Sequence, residues 1–208
     1  MPKERQIVFS DGSGGTYVWP IDGMSNSLRV IDYEHHEIHG GSSFAVWFDN
    51  TTANSDDDRS VIAFKTAAGT KLCHITMSVT ASNPAEAIIL EAPSTIDLNE
   101  GTGATVFNRY RGSGTASTVL SLTNPGVAGK VTTFTEAQIA GAQLTGGTVI
   151  DHVSLAGGEG PKAVGGVSRG SQEWILAANT TYLFYLQNIG QSANLHHINL
   201  DWYEHTNS

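Results

Sequence analysis

The chain has 208 residues, of which 20 are acidic and 11 are basic, so its formal charge at pH 7 is -9. This charge repels a phosphate backbone, and no cluster of lysine and arginine offsets it, so the composition argues against a nucleic-acid partner. Glycine is abundant at 23 residues and charged residues make up only 15% of the chain, which is typical of one domain built from short strands and tight turns.

Cysteine usage and the N-terminal residues bear on the compartment. Cys73 is the only cysteine, so the chain cannot form a disulfide within itself and depends on packing, hydrogen bonds or assembly for its stability. Residues 1–5 lack the apolar core of a signal peptide, and no apolar run approaches the length of a membrane span. We therefore expect synthesis in a cytoplasm and no membrane partner.

Residues 1–27 are predicted to form an extended N-terminal arm. Its strands are separated by turns rich in aspartate and glycine, which tolerate positive φ angles. The strands predicted in the arm and at the start of the following domain are 6–10, 16–19 and 28–33. The arm has few apolar residues for its length, so Trp19, Ile21 and Met24 need a surface to lie on, supplied either by the domain that follows or by a neighbouring subunit.

The stretch from residue 30 to residue 44 is predicted to be a strand closed by Gly40 and Gly41, and it holds three histidines and three acids. Side chains alternate in direction along a strand. The residues predicted to share one face are Tyr33, His35, Glu37 and His39. Because neither face is purely apolar, we expect this strand to carry a buried polar network or to meet another chain.

The triplet Tyr33-Glu34-His35 recurs near the C-terminus as Tyr203-Glu204-His205. The repeat suggests that the two strands lie side by side in one sheet and present the same chemistry. The histidines that would then gather are His35, His36, His39, His196, His197 and His205. Histidine titrates near neutral pH, so such a cluster predicts an assembly whose stability changes between about pH 5 and 8.

After the histidine-rich stretch, runs rich in β-branched and aromatic residues alternate with turn clusters. Strands are predicted at 43–49, 60–66, 72–80, 85–91, 104–111, 115–123, 148–155, 173–177, 181–189 and 194–205. Residues 181–186 form the most apolar run and are expected to be a central strand, reached by a tight turn at 178–180. The one predicted helix is 135–140, with Thr133 or Thr135 as its N-cap.

Many short strands with turn signals between them and almost no helix indicate an all-β protein. We predict an antiparallel β-sandwich of the jelly-roll type over residues 28–208, with a barrel as the alternative. The glycine-rich segment 156–166 has neither the Gly-Lys-Ser/Thr ending of a phosphate-binding loop nor a helix after it. It is predicted to be a flexible loop.

The sequence favours a protein that is not an enzyme and that holds no metal or cofactor. The candidate metal ligands are His35, Glu37, His39, His196, His197 and His205. A cupin-type site uses a His-x-His pair followed by a glutamate, whereas this chain has His-His-x-x-His. The acidic run 50–58 lacks the glycine and the terminal glutamate of a calcium-binding EF-hand. No Gly-x-Ser-x-Gly elbow occurs, Cys73 lies mid-strand among apolar residues, and no pair of carboxylates stands out.

Several motifs resemble a family of small virion proteins encoded by tailed bacteriophages, and the resemblance runs from about residue 28 to the C-terminus. The motifs are Ile31–His39, Asn108–Arg111, Ser168–Leu176, Asn179–Tyr182 and Trp202–His205. Several jelly-roll virion proteins of this size are capsid decoration, or cement, proteins and are commonly trimeric. The resemblance therefore implies a homotrimer on the capsid surface, made in the host cytoplasm, whose partner is the major capsid protein or another virion protein.

The resemblance also frames the alternatives. The residues expected at interfaces are Tyr33, His35, Glu37, His39, Arg109, Arg111, Trp202, Tyr203 and His205. A second hypothesis is a carbohydrate- or receptor-binding module of a phage fibre or tail tip, with Trp47, Tyr110 and Trp202 as sugar platforms. A cupin-like enzyme is the third. The arm, residues 1–27, lies outside the resemblance and is expected to fit the protein to its own particle.

Overall fold

A computed structural model describes residues 6–10, 16–20, 33–93, 101–122, 127–139, 146–155, 162–164, 173–190 and 193–206. The chain forms two compact units, Met1–His36 and Glu37–Ser208. The first contains an antiparallel hairpin of β1 (Gln6–Ser10) and β2 (Thr16–Pro20). This hairpin confirms the first two predicted strands, whereas residues 28–32 of the third lie outside the described ranges.

The histidine-rich stretch is a helix, α1 (Tyr33–Gly40), so the strand predicted there is wrong. The helix ends at Gly41, which has a left-handed φ of 75°. The N–H of Gly41 donates to the carbonyl of Ile38 at 3.0 Å and that of Ser42 donates to the carbonyl of Glu37 at 3.1 Å, the Schellman pattern of a helix C-terminus. Residues on a helix turn by about 100° each, so the four residues of the predicted face do not share one side.

The second unit is built from the remaining strands. Their bounds are β3 (Ser43–Asn54), β4 (Arg59–Lys65), β5 (Lys71–Ala81), β6 (Ala85–Glu91), β7 (Thr102–Thr105), β8 (Phe107–Asn108), β9 (Lys130–Thr135), β10 (Thr148–Leu155), β11 (Lys162–Val164), β12 (Trp174–Leu176), β13 (Thr181–Asn188) and β14 (Asn194–Thr206). The back sheet has the order β10-β6-β13-β4-β9-β7. The front sheet has the order β11-β5-β14-β3-β8, and β12 also pairs with β5.

The strand pairs are nested in the manner of a jelly roll. β3 pairs with β14, β4 with β13, β5 with β12, and β6 with β10, all antiparallel. Each pair joins an early strand to a late one, and successive pairs alternate between the front and back sheets. A long antiparallel ribbon rolled into a two-sheet sandwich has this connectivity. The predicted antiparallel β-sandwich of the jelly-roll type is confirmed.

The main core lies between the two sheets. From the front sheet, Ile198, Leu200 and Trp202 of β14 point inward, and they meet Phe64 and Phe184 of the back sheet. Phe64 stacks on Trp202 with ring centroids 5.9 Å apart and on Phe184 at 5.4 Å. This burial holds the sheets together and fixes which face of the front sheet is turned outward.

The central strands β4 and β13 of the back sheet are buried on both faces. Leu183 and Tyr185 of β13 belong to a second apolar cluster on the outer side, which also contains Leu122 and Ile139. All five residues from Tyr182 to Leu186 are buried as a result. The predicted central position of residues 181–186 is confirmed. The centre of the back sheet is therefore covered on its outer side, whereas the outer face of the front sheet carries exposed side chains such as Trp47.

Several local predictions differ from the structure in the middle of the chain. Residues 104–111 do not form one strand, because β7 pairs with β9 in the back sheet and β8 with β3 in the front sheet. The chain changes sheets between them. Within 115–122, the described part of another predicted strand, only Leu120 makes β-type pairing, as isolated bridges to Lys65 and Ala128.

Two strands and one helix also depart from expectation. β9 was not predicted, and β11 lies inside the segment predicted to be a loop. The helix predicted at 135–140 is a single 3-10 turn, Glu136–Gln138, with Thr135 as its N-cap. The backbone N–H of Thr135 donates to the Gln138 side-chain oxygen at 2.9 Å, one half of a capping box. No helix within the described ranges has the length and apolar character needed to cross a membrane.

Candidate binding surfaces

The predicted histidine cluster does not form on the closing strand. His196 and His205 lie near opposite ends of β14, where they pair in register with Ala81 and Leu72 of β5. At the rise of a β-strand they are roughly 30 Å apart. His196 and His197 also point to opposite faces of the sheet, because neighbouring strand residues alternate. The expectation that all of these histidines share one network is therefore wrong.

His196 is a buried structural residue at one end of the sandwich. Its Nδ1 lies 2.9 Å from the Ser60 hydroxyl, which also accepts a hydrogen bond from the Asn50 amide at 2.9 Å. Its Nε2 is buried without a hydrogen-bond partner. Burial lowers the pKa of His196 to about 4, and the Asp58 carboxylate only partly offsets this effect. The imidazole is consequently neutral at physiological pH.

A second group of rings, on the outer face of the front sheet, was missed by the sequence analysis. His74 of β5 stacks on Tyr203 with centroids 4.6 Å apart, and the His205 ring lies 5.1 Å from His74. The Tyr203 hydroxyl donates to Glu173 at 3.1 Å, and His74 Nδ1 lies 3.6 Å from the same carboxylate oxygen. Side chains alternate along β5, so His74 points to the outer face while Cys73 and Ile75 point into the core. This alternation is the sequence signal that could have located the group.

This His74 group brings together two of the predicted interface residues, Tyr203 and His205. Tyr203 is itself almost wholly covered within the chain, as is His74. Within the described ranges, no set of three or more histidine, cysteine, aspartate or glutamate side chains is arranged to hold a metal ion. The group can act as a stacked aromatic and hydrogen-bonded patch that fixes β5, β12 and β14 to one another.

Trp202 lies in the core with no exposed surface, so its predicted role as an interface residue or sugar platform is wrong. Its indole N–H donates to Glu204 Oε1 at 3.1 Å. The buried Glu204 carboxylate also accepts from the Ser117 hydroxyl at 2.5 Å and from the backbone N–H of Thr118 at 2.9 Å. Glu204 thus attaches the segment that crosses from the front sheet to the back sheet to strand β14.

The predicted interface residues Tyr33, His35, Glu37 and His39 all lie on α1 rather than on a strand. Tyr33 and His35 belong to the first unit, and Glu37 and His39 to the second. Glu37 is buried and accepts a hydrogen bond from the Ser42 hydroxyl. Its side chain therefore supports the end of the helix.

Arg109 and Arg111 lie on a turn that Asn108 organises. The Asn108 amide donates to the carbonyls of Gly41 at 2.8 Å and Thr115 at 3.0 Å, and its oxygen accepts from the Tyr110 N–H at 2.8 Å. Tyr110 projects into solvent. Since these contacts fix the backbone, the turn presents both arginines at the surface without further ordering.

The outer face of the front sheet carries an exposed aromatic pair beside polar side chains. Trp47 is 49% exposed and Phe107 37% exposed, and their rings stack with centroids 5.1 Å apart and planes 16° from parallel. The Arg111 guanidinium carbon lies 5.5 Å from the Phe107 centroid. Together with the neighbouring polar residues these form the front patch, which consists of Trp47, Phe107, Arg109, Arg111, Asn199 and Asp201.

The polar half of the front patch is set by strand register. Asn199 pairs with Trp47 across β14 and β3, and Asp201 pairs with Ala45. The Asn199 amide donates to Asp201 Oδ2 at 2.6 Å, and Arg109 Nε lies 3.9 Å from Asp201 Oδ1. Ala45 lies between Phe107 and Asp201 across the sheet, because it pairs with Phe107 on one side and with Asp201 on the other.

A different exposed surface lies where the sheet edges β10 and β12 approach each other. The Trp174 indole N–H donates to Asp151 Oδ2 at 3.3 Å, which joins the two strands. The lateral edge formed by these two strands exposes four large apolar side chains: Val153 and Trp174 are turned to the inner side of their sheets, and Val149 and Ile175 to the outer faces of the back and front sheets. Val149 and Ile175 are 54% and 55% exposed. In the described part of the chain, no strand pairs with the outer side of β10.

Compared with known proteins, the chain matches no protein-family model, no curated protein and no solved structure.

Proposed function

We propose that the protein is a structural component of a tailed-phage virion, a capsid decoration protein that works as a homo-oligomer and has no enzymatic activity. The observation that carries the assembly part of the proposal is the lateral edge formed by β10 and β12. The virion role itself comes from the motif resemblance, which also implies a trimer. Its partners are further copies of itself and the major capsid protein or another virion protein.

The lateral edge has the properties of a surface that another chain covers. β10 is an eight-residue edge strand, and such a strand exposes backbone N–H and C=O groups that can pair with a neighbour. The same edge exposes four large apolar side chains, whose burial by a partner would favour association. A three-fold ring is built from heterologous contacts, so this edge would meet a different surface of the next subunit.

The buried polar residues are consistent with a structural role. Glu204, the most deeply buried acid of β14, accepts hydrogen bonds from the Trp202 indole, the Ser117 hydroxyl and the Thr118 backbone. Such networks fix the packing of a scaffold when their hydrogen bonds are satisfied. Decoration requires this kind of rigid scaffold with docking surfaces on the outside.

The virion role is tested by the protein composition of purified phage particles and by the location of the chain within them. Particles purified from a lysate of the phage whose genome encodes the chain should contain it in a fixed ratio to the major capsid protein. Cryo-electron microscopy of the same particles should place it on the outer surface of the shell. Its absence from purified particles, or its location in the tail, would overturn the decoration role.

A further inference from the structure

The front patch combines a rigid aromatic plane with hydrogen-bonding groups at its side, and it lies on strands that the lateral edge does not use. We infer that the front patch is a binding site for a glycan, with a neutral pyranose ring seated against Trp47. This inference does not rest on the proposed virion role, since a glycan site and a self-association edge use different strands.

The aromatic part of the front patch suits the apolar side of a sugar ring. A pyranose presents one face rich in C–H groups, and the negative face of an aromatic ring attracts such groups. The stack with Phe107 at 5.1 Å holds the Trp47 indole in place, and the cation of Arg111 at 5.5 Å from Phe107 supports that ring in turn. Little rotamer freedom is therefore lost on binding.

The polar part suits the hydroxyl groups around the ring. A hydroxyl both donates and accepts, so it needs donors and acceptors in one small area. Arg109 supplies guanidinium N–H groups, Asp201 supplies carboxylate oxygens, and Asn199 supplies both kinds of group in a planar amide. Register places Asn199 directly beside Trp47, and Asp201 beside Ala45, the smallest side chain next to the patch.

The charges in the area select among ligands. Asp201 lies near Arg109, and beyond Trp47 the exposed Asp49 carboxylate pairs with His197 at a distance of 2.5 Å. Acidic and basic groups are balanced, which favours a neutral sugar over an anionic one.

The test uses small sugars, so that self-association cannot amplify the signal. Saturation-transfer NMR is recorded on the full chain with methyl glucoside, methyl galactoside and the methyl glycoside of N-acetylglucosamine. Titration of the saturation-transfer signal against glycoside concentration gives the affinity. We expect binding to at least one of these probes and a loss of at least tenfold in affinity for Trp47→Ala, with a smaller loss for Asp201→Asn.

The matched control is Trp174→Ala, which removes another partly exposed tryptophan, on the lateral edge. It should leave the binding of the small sugars unchanged. Near-ultraviolet circular dichroism confirms that each variant is folded. No binding by the wild-type chain to any probe, or equal loss in the Trp47→Ala and Trp174→Ala variants, would overturn the inference. If Trp47→Ala weakens attachment to particles while no sugar binds, the patch is a protein-docking surface instead.

Discussion

The Trp202 indole N–H donates to Glu204 Oε1 at 3.1 Å, so the largest buried side chain of the core is joined to a buried carboxylate two residues further along β14. The same carboxylate holds Ser117 and Thr118, which lie on the segment that passes from one sheet to the other. This one residue therefore connects the packing of the core to the path of the chain across the end of the sandwich.

Replacing Glu204 should destabilise the fold severely. In Glu204→Ala the buried donors of Trp202, Ser117 and Thr118 lose their acceptor, and each unsatisfied buried group costs about 1–3 kcal/mol. We expect the free energy of unfolding in denaturant titration to fall by about 3–5 kcal/mol.

The matched control is Glu86→Ala. Glu86 makes only a partly exposed pair with His152 at 3.4 Å, and such pairs are worth about 1 kcal/mol or less. Equal losses of stability in the two variants would show that Glu204 has no special structural role.

The end of helix α1 gives a second prediction. Gly41 has φ 75°, and a Cβ added there would lie 2.6 Å from the Ser113 hydroxyl, whereas at Gly40 the nearest atom is 3.7 Å away. Gly41→Ala should therefore lower the free energy of unfolding by about 1–3 kcal/mol, and Gly40→Ala should change it little. Thermal unfolding of the two variants measures the difference. A Gly41→Ala variant as stable as Gly40→Ala would contradict the left-handed helix end.

The neutral His196 predicts a specific loss of stability in acid. Its folded-state pKa is about 4, against an ordinary value of 6.5. Between these values the unfolded chain binds a proton that the folded chain excludes, so this contribution is complete above pH 6.5 and is lost as the pH falls towards 4. The total amounts to about 3 kcal/mol.

Replacement of His196 separates this effect from the general titration of carboxylates. Melting temperatures of wild type and His196→Gln are compared at pH 7 and pH 4.5, and the acid-induced drop should be smaller in the variant by roughly 5–10 °C. The control is His197→Gln, because His197 is the next residue, points to the outer face and is exposed. A drop that His197→Gln reduces as much as His196→Gln would disprove the assignment.

Sequence periodicity predicted most of the sandwich because its strands bury β-branched and aromatic residues in long runs. The bounds of β6 and β10 match the predicted strands residue for residue. Turn chemistry was equally informative at 178–180, where Asn179 takes a left-handed φ of 54°. In these places local preference and tertiary packing favour the same conformation.

The histidine-rich stretch was misread because its polar residues have no clear period. Ile38 is the only β-branched residue of α1, and Gly41 after it is a helix-stop signal. The split of residues 104–111 between two sheets could not be predicted, since a single run of strand-forming residues does not reveal which partner each half takes. The front patch depends on register between β3 and β14, which sequence spacing does not contain.

The central claim, that the protein assembles through the lateral edge, is tested most directly by sedimentation velocity. The wild-type chain is compared with a Val149→Lys, Ile175→Lys double variant, whose exposed positions tolerate charge in a folded subunit. The control, Ile189→Lys, alters an exposed apolar residue immediately after β13, away from the lateral edge strands. We predict a trimer for the wild type and the control and a folded monomer for the double variant. A wild-type chain that stays monomeric at high concentration and on its particle, or a double variant that still forms the trimer, would contradict the account.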